Sequence, residues 1–358
     1  MRDISNHLNA PCFALYRMPG ARTVHVISAS EALTGEAIPP FEPYAIPASE
    51  DVKGFLIAPF DHTQCERLYI PAQKHNKLYS YSIPHDPQPL SGYLEDDRQR
   101  YVADFQACKQ ALATARALKL VLARCVRLRL VAYTLDIIRL FGAACEAFPN
   151  NYIALWHTPQ TGTWLTATPE LLLSRTADQL CHTMALAGTM PVSDPDSQRL
   201  GSWSKKNREE QSMVQQHIFR VLMNANIPYE VSDTKLLRSG NLVHLCTRFH
   251  STTPASISAL LDELHPTPAV CGMPVRRAFS LLSEMEHIHR DYYAGYSGPM
   301  LADGTFHFFV TLRCLHLVEQ GCDLYAGSGL MPSSQLEDEW QETQHKLQAL
   351  LQLMPLRG

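Results

Sequence analysis

A chain of 358 residues, 46% hydrophobic and 18% charged, has enough apolar side chains for one large core or two ordinary ones, which excludes a disordered or fibrous protein. Its formal charge of -4 supplies no basic field for nucleic acid. Lys119, Arg124, Arg127 and Arg129 interrupt its longest apolar stretches too soon for a membrane span. The cysteines show no Cys-x-x-Cys spacing and the histidines no His-Glu-x-x-His spacing, so reduced core thiols are expected rather than a zinc or redox centre. The opening Met1-Arg2-Asp3-Ile4-Ser5-Asn6-His7 has no basic stretch followed by an apolar core, and a cytoplasmic protein is expected.

Residues 1–100 are rich in proline and short apolar runs, with 55–60 the clearest strand, and predict peripheral sheet and loops. Helical spacing covers 103–117. Residues 118–124 then have the continuous apolar character of a buried strand, and 135–148 place Ile137, Ile138, Phe141 and Ala144 on one helical stripe. Between 152 and 186, short apolar runs are broken by Pro159-Gln160-Thr161-Gly162 and Thr176-Ala177-Asp178-Gln179, the pattern of a meander. Residues 205–224 predict an amphipathic helix with Val214, Ile218, Val221 and Leu222 on one face, and further helices follow at 255–264 and 273–289. Strands return at 305–316 and 322–325 around the turn Glu319-Gln320-Gly321, and a glycine loop at 326–329 leads to a closing helix. There, Ser334-Gln335-Leu336-Glu337 has the spacing of a capping box, and Leu336, Trp340, Leu347, Leu350, Leu351 and Met354 recur at helical intervals. No repeat or long linker divides the chain. The expected architecture is one α+β domain over 1–358, with mainly antiparallel sheets and helices packed outside them.

Glu210 falls on the apolar stripe of the 205–224 helix, one turn before Val214 and away from Lys205 and Arg208. A carboxylate buried there without compensation costs several kcal/mol, so it calls for a metal ion, another cationic partner or a salt bridge to a nearby arginine. Glu339, Glu342 and Lys346 project from neighbouring turns of the closing helix. They form either a solvated face with an intrahelical Glu–Lys pair or, with Glu210, an all-oxygen set suited to Mg2+ with retained waters. Lys119 lies between Leu118 and Leu120 in an apolar strand. It is either snorkelling from a sheet edge or desolvated, and a fall of roughly 3 units from about 10.4 would make it a base near neutral pH. Glu170, just after Pro169 where a strand starts, is either solvated or aimed into a cleft. Ala187-Gly188-Thr189 and the 326–329 loop offer bare N–H groups to a carboxylate, as simple turns also do, and Arg313 could clamp one bidentately.

Taken in order, these segments resemble the chorismate-utilising enzymes, the family of isochorismate, salicylate, anthranilate and aminodeoxychorismate synthases. The segments are Lys119-Leu-Val-Leu-Ala-Arg124, Thr168-Pro-Glu-Leu-Leu172, Leu186-Ala-Gly-Thr189, the helix start at 206–210, Val243-His-Leu245, residues 265–272, Glu286 through Tyr293-Ala-Gly295, Thr311-Leu-Arg313, the closing glycine loop and Glu339-x-x-Glu342-x-x-x-Lys346. The resemblance covers residues 103–354. It implies large antiparallel sheets with surrounding helices, an active site in a deep cleft, and Mg2+ held by glutamates and bridging to the carboxylate of chorismate. Residue by residue, it implies Glu210 and Glu342 as metal ligands, with Glu339 as an additional or water-mediated contact. Gly188, Thr189, Ala269, Arg313, Gly327 and Lys346 are implied as substrate contacts and His244 as a histidine near the reacting ring. Lys119 is implied as the base that activates water, and Glu170 as the acid that assists departure of the ring hydroxyl.

Members of that family that install an amino group resemble one another in having glutamine at the position of Lys119, and aminodeoxychorismate synthases have an attacking lysine at that of Ala187. The resemblance therefore favours isochorismate synthase, in which water adds at C2 as the C4 hydroxyl leaves, with one base and one acid. Salicylate synthase, which goes on to eliminate pyruvate, and a non-catalytic chorismate-binding subunit are the alternatives. A monomer or homodimer without a glutaminase partner is expected, supplying menaquinone rather than siderophore synthesis. The chain departs from the common pattern at Gln211, where a histidine usually follows the metal-binding glutamate. It also departs at Ser328, where alanine is usual between the two glycines, and at Ser297-Gly298.

Overall fold

The computed structural model describes residues 6–41, 51–87, 89–131 and 135–357, so most of the opening read for a leader lies outside the described residues. The N-terminal part forms β1 (Cys12–Arg17), β2 (Thr23–Ala29), β3 (Leu33–Thr34), β4 (Val52–Ala58), β5 (Leu68–Pro71), β6 (Lys74–Tyr79) and β7 (Leu90–Leu94). Next come α1 (Arg98–Ala113), β8 (Lys119–Leu130), α2 (Ile137–Ala147), β9 (Tyr152–Thr158), β10 (Gly162–Thr168), β11 (Leu171–Arg175), β12 (Leu180–Pro191) and α3 (Lys205–Asn224). The chain continues through β13 (Tyr229–Val231), β14 (Lys235–Ser239), β15 (Leu242–Thr252), α4 (Ile257–Leu264), β16 (Gly272–Met273) and α5 (Val275–Met285). It closes with β17 (Tyr296–Leu301), β18 (Phe306–Val310), β19 (Cys314–Val318), β20 (Gly321–Leu330), α6 (Leu336–Leu351) and β21 (Leu356–Arg357).

These strands make two large, mainly antiparallel sheets. The first runs β21-β7-β8-β20-β19-β10-β9-β1-β2-β6, with β16 beside β8, and the second β13-β15-β12-β11-β18-β17-β4-β5-β3, with β14 beside β15. The short β21 pairs in parallel with β7. The central strands of the first sheet are buried on both faces. In β1, Cys12, Ala14 and Tyr16 face the core shared with the second sheet, while Phe13 and Leu15 face a second core under α2 and α6. Such doubly covered strands read as continuous apolar runs rather than as alternation. Strands β1 and β4 therefore lie inside the sheets, whereas β3 and β6 form edges, as expected of a peripheral layer. β1 hydrogen-bonds β9, and β4, with Phe55, Leu56 and Ile57 fully buried, pairs with β17.

Helix α3 follows its sequence signal closely. Ser204 caps it by accepting from the Asn207 N–H at 3.1 Å, and Val214, Ile218 and Leu222 enter the core, each worth about 1.5–3 kcal/mol by burial. The C-terminal part departs from expectation in three ways. The predicted strand 305–316 is two strands, β18 in the second sheet and β19 in the first. The glycine loop 326–329 lies inside β20, where Gly327 pairs with Ala123 and Gly329 with Val121. The capping box does not form: the Ser334 hydroxyl accepts from the Met331 N–H at 3.0 Å, and Glu337 reaches Arg98 at 2.6 Å.

Candidate active site

Two crossings between the sheets bring the site together. The chain leaves β10 for β11 through Pro169-Glu170, and returns from β18 to β19 through Thr311-Leu312-Arg313. The crossings run side by side, with the Val310 N–H donating to the Glu170 carbonyl at 3.0 Å and the Ala167 N–H to the Arg313 carbonyl at 3.1 Å. Arg313 has φ of 46°, a left-handed conformation that costs a non-glycine residue of order 1 kcal/mol. Beside the crossings, β12 is bulged between Ala187 and Met190, with Gly188 at φ of 67°, and β15 carries His244 opposite. Lys119, Glu170, Gly188, Thr189, Glu210, His244, Ala269, Arg313, Gly327, Glu342 and Lys346 line one cavity. Of the residues nominated from the sequence, Glu339 stands back from its wall.

Lys119 is 2% exposed. It starts β8 between β16 and β20 rather than snorkelling from an edge. Burial lowers its pKa, opposed mainly by Glu210. Glu170 is 3% exposed, not solvated, and burial raises it to about 7 against the pull of the Thr267 hydroxyl, which donates at 3.4 Å, and of Lys119. An amine and a carboxyl driven by burial toward their neutral forms in one cavity can serve as a base and an acid.

The other end of the cavity is cationic. Burial alone lowers Arg313 to about 10, and its guanidinium meets Ser239 and His244 but no carboxylate among the described residues. Arg313 Nη2 donates to His244 Nε2 at 2.6 Å, which leaves the imidazole proton on Nδ1, where it donates to the Gly188 carbonyl at 3.0 Å. Burial and Arg313 hold His244 well below the ordinary histidine range, so it is neutral. Lys346 spans the cavity floor, donating to the Gly327 carbonyl at 2.6 Å and to Glu342 at 2.8 Å. Gly327 thus contributes its carbonyl from within a strand, not a loop of N–H groups.

Glu210, Glu339 and Glu342 converge from α3 and α6, and the two predicted alternatives for them resolve differently. Glu342 and Lys346 do form the intrahelical pair. Glu339, at 1% exposure, is no part of a solvated face and pairs with Lys206. Glu210 pairs with no arginine among the described residues. Burial raises both Glu210 and Glu339, while Glu342, pulled up by burial, is brought below the usual range chiefly by Lys346. Oε1 of Glu210 and Oε2 of Glu339 are buried without a hydrogen-bond partner among the described residues. Such orphaned carboxylate oxygens fit a hard cation. As the side chains stand, no three His, Cys, Asp or Glu groups among the described residues surround one metal position, and Lys206 and Lys346 pair with Glu339 and Glu342.

Three further residues belong to the site. Lys206 neutralises Glu339, and the Tyr293 ring lines the cavity, stacked on Tyr325 with centroids 5.3 Å apart. Gly329 lets β20 approach closely, since a Cβ there would stand 2.4 Å from Oε1 of Glu210 and 2.9 Å from Cε of Lys119. Lys206 and Tyr293 lie in segments quoted for the family resemblance, but nothing in their spacing singles them out. Gln211 faces away from the carboxylates: its Oε1 accepts from the Ala187 N–H at 2.9 Å and its Nε2 donates to the Ala185 carbonyl at 3.1 Å, bracing β12 just before Gly188. A larger groove between residues 35–41 and the start of α4, around Arg67 and Asp262, lies apart and assembles no comparable acid and base.

A family model described as chorismate binding enzyme matches residues 60–355. The chain is 30% identical over 318 residues to isochorismate synthase EntC of Escherichia coli (strain K12), covering 83% of this chain and 80% of that one. Among solved structures, MenF, the menaquinone-specific isochorismate synthase from Escherichia coli, superposes with a TM-score of 0.80 at 23% identity, over 97% of this chain and 90% of that one. Anthranilate synthase component I from Streptococcus pneumoniae superposes with a TM-score of 0.73 at 15% identity, over 96% and 92%. At those identities the two structures establish a shared fold.

Proposed function

Because the chain belongs to the chorismate binding enzyme family, we propose that it is an isomerase, an isochorismate synthase that interconverts chorismate and isochorismate. The observation that carries this reading is the pairing of Lys119 and Glu170 in one cavity, both driven by burial toward the neutral forms that addition of water and loss of hydroxide require. Arg313, a buried cation without a carboxylate partner among the described residues, takes a substrate carboxylate, with Lys346 lining the same cavity. Lys119 removes a proton from the water that adds at C2. The ring double bonds shift, the bond from C4 to its hydroxyl breaks, and Glu170 supplies the proton with which that hydroxyl leaves as water. His244, neutral and held at both ring nitrogens, orients neighbouring groups and moves no proton.

Mg2+ would be held by Glu210 and Glu342, with Glu339 nearby, and supplies positive charge against which a substrate carboxylate can be bound. The orphaned oxygens of Glu210 and Glu339 support this assignment. Product chromatography after incubation of the purified protein with chorismate, with and without Mg2+, tests the reading, and isochorismate formed only with Mg2+ is expected. Salicylate with pyruvate would make it a salicylate synthase, and binding without turnover a chorismate-binding subunit. We assign the product to menaquinone synthesis, and a deletion strain that retains menaquinone but loses siderophore would reverse that choice.

A further inference from the structure

We propose that Ser239 and Asn151 are positioning residues that aim Arg313 at the substrate carboxylate, an inference that rests on the chorismate reading above. Ser239 ends β14 and is 2% exposed, and Asn151 immediately precedes β9 and is 1% exposed. Arg313 Nη1 donates to the Ser239 carbonyl at 3.1 Å and also to the Ser239 hydroxyl oxygen. A hydroxyl has one proton, and this one is committed: it donates to Asn151 Oδ1 at 2.8 Å. The amide cannot be reversed, because Asn151 Nδ2 donates to the Ala167 carbonyl at 2.9 Å and an oxygen in its place would face that carbonyl. The Ser239 oxygen therefore turns only lone pairs toward the guanidinium.

Arg313 is thus gripped on one side by Ser239 and on the other by His244, both neutral. A carboxylate in either place would hold the guanidinium as well but would cancel the charge the substrate needs. Neutral acceptors fix the direction of the side chain and leave its charge facing the cavity. Asn151 acts one step further back, by keeping the Ser239 proton away from the cation.

Steady-state kinetics with chorismate and Mg2+, run beside thermal unfolding, tests this. Ser239→Ala should raise KM about tenfold or more, the usual worth of a hydrogen bond to a charged group, with kcat within about threefold and the unfolding midpoint near wild type. Asn151→Ala should move KM in the same direction, and Ser239→Thr, which keeps the hydroxyl, should return it toward wild type. An unchanged KM in Ser239→Ala overturns the proposal. So does a joint loss of kcat and midpoint, which is what a merely structural serine would give. A wild-type protein inert toward chorismate overturns instead the functional reading on which the proposal rests.

Discussion

Glu170→Gln separates the acid's chemistry from its electrostatic cost. Moving a carboxyl from 4.5 to about 7 costs about 3 kcal/mol once it must ionise in the folded protein, at about 1.4 kcal/mol per pH unit. At 3% exposure, little solvent screening reduces that figure. Below pH 4.5 the group is neutral folded or unfolded and contributes no penalty. Between 4.5 and about 7 the unfolded chain releases the proton and the folded protein keeps it, so stability falls as pH rises, and above 7 the loss is complete. Glutamine has nearly the same shape and carries no charge. Chemical denaturation should therefore find Glu170→Gln about as stable as wild type near pH 4.5 and about 3 kcal/mol more stable at pH 8. Its turnover of chorismate should fall at least about a hundredfold, the typical contribution of a positioned acid. A stability difference independent of pH would refute the buried-acid assignment, and wild-type turnover in the variant would refute the catalytic one.

Wild-type kcat/KM should follow a bell, because turnover needs Glu170 protonated, a state it loses as pH rises through about 7, and Lys119 neutral, the form that burial favours. Lys119→Ala should abolish turnover while calorimetry still detects chorismate binding; an active variant would remove Lys119 from the chemistry. Gly329→Ala drives a methyl into Glu210 and Lys119, and activity should fall by more than about tenfold, because overpacking of about 1–3 kcal/mol is relieved by displacing both groups. Lys206→Met removes the cation that neutralises Glu339, and the Mg2+ concentration giving half-maximal rate should drop several-fold. A rise in that concentration would show that Lys206 supports the metal site instead of competing with it.

What the sequence disclosed depended on whether one face of an element stayed polar. Helix α3 keeps Lys205 and Arg208 outside and Val214, Ile218 and Leu222 inside, so both its limits and the inward direction of Glu210 were legible. In β1, β4 and the first half of β8 both faces are covered, and no alternation marks where one sheet ends and the other begins. Nothing in 305–316 announces the break between β18 and β19, because Arg313 adopts its positive φ without the glycine that usually signals one. Gly327 and Gly329 misled in the opposite sense: they indicate turns by propensity, but here they thin a strand so that Tyr293, Lys119 and Glu210 can crowd against it. The residues of the cavity were found through the order of family motifs. Ser239 and Asn151 escaped because a serine and an asparagine acquire meaning only from the arginine they face.

The pairing of β8 with β20 also fixes when the site can exist. Arg129 pairs with Gly321 and Leu120 with Leu330, so the strand carrying Lys119 leaves the ribosome roughly 200 residues before its partner, a wait of about 10–40 s at ordinary synthesis rates. During that interval its free flank offers unsatisfied backbone groups along an apolar segment, the setting in which nascent chains stick to one another. Arg124, Arg127 and Arg129, which in the finished protein pair with Asp97, Asp323 and Glu95, put charge on that strand while it waits. Their acidic partners are then more than surface decoration: Asp323 arrives on β20 itself, so the last large strand to be made brings its own counter-charge and ends the exposure that the arginines guard.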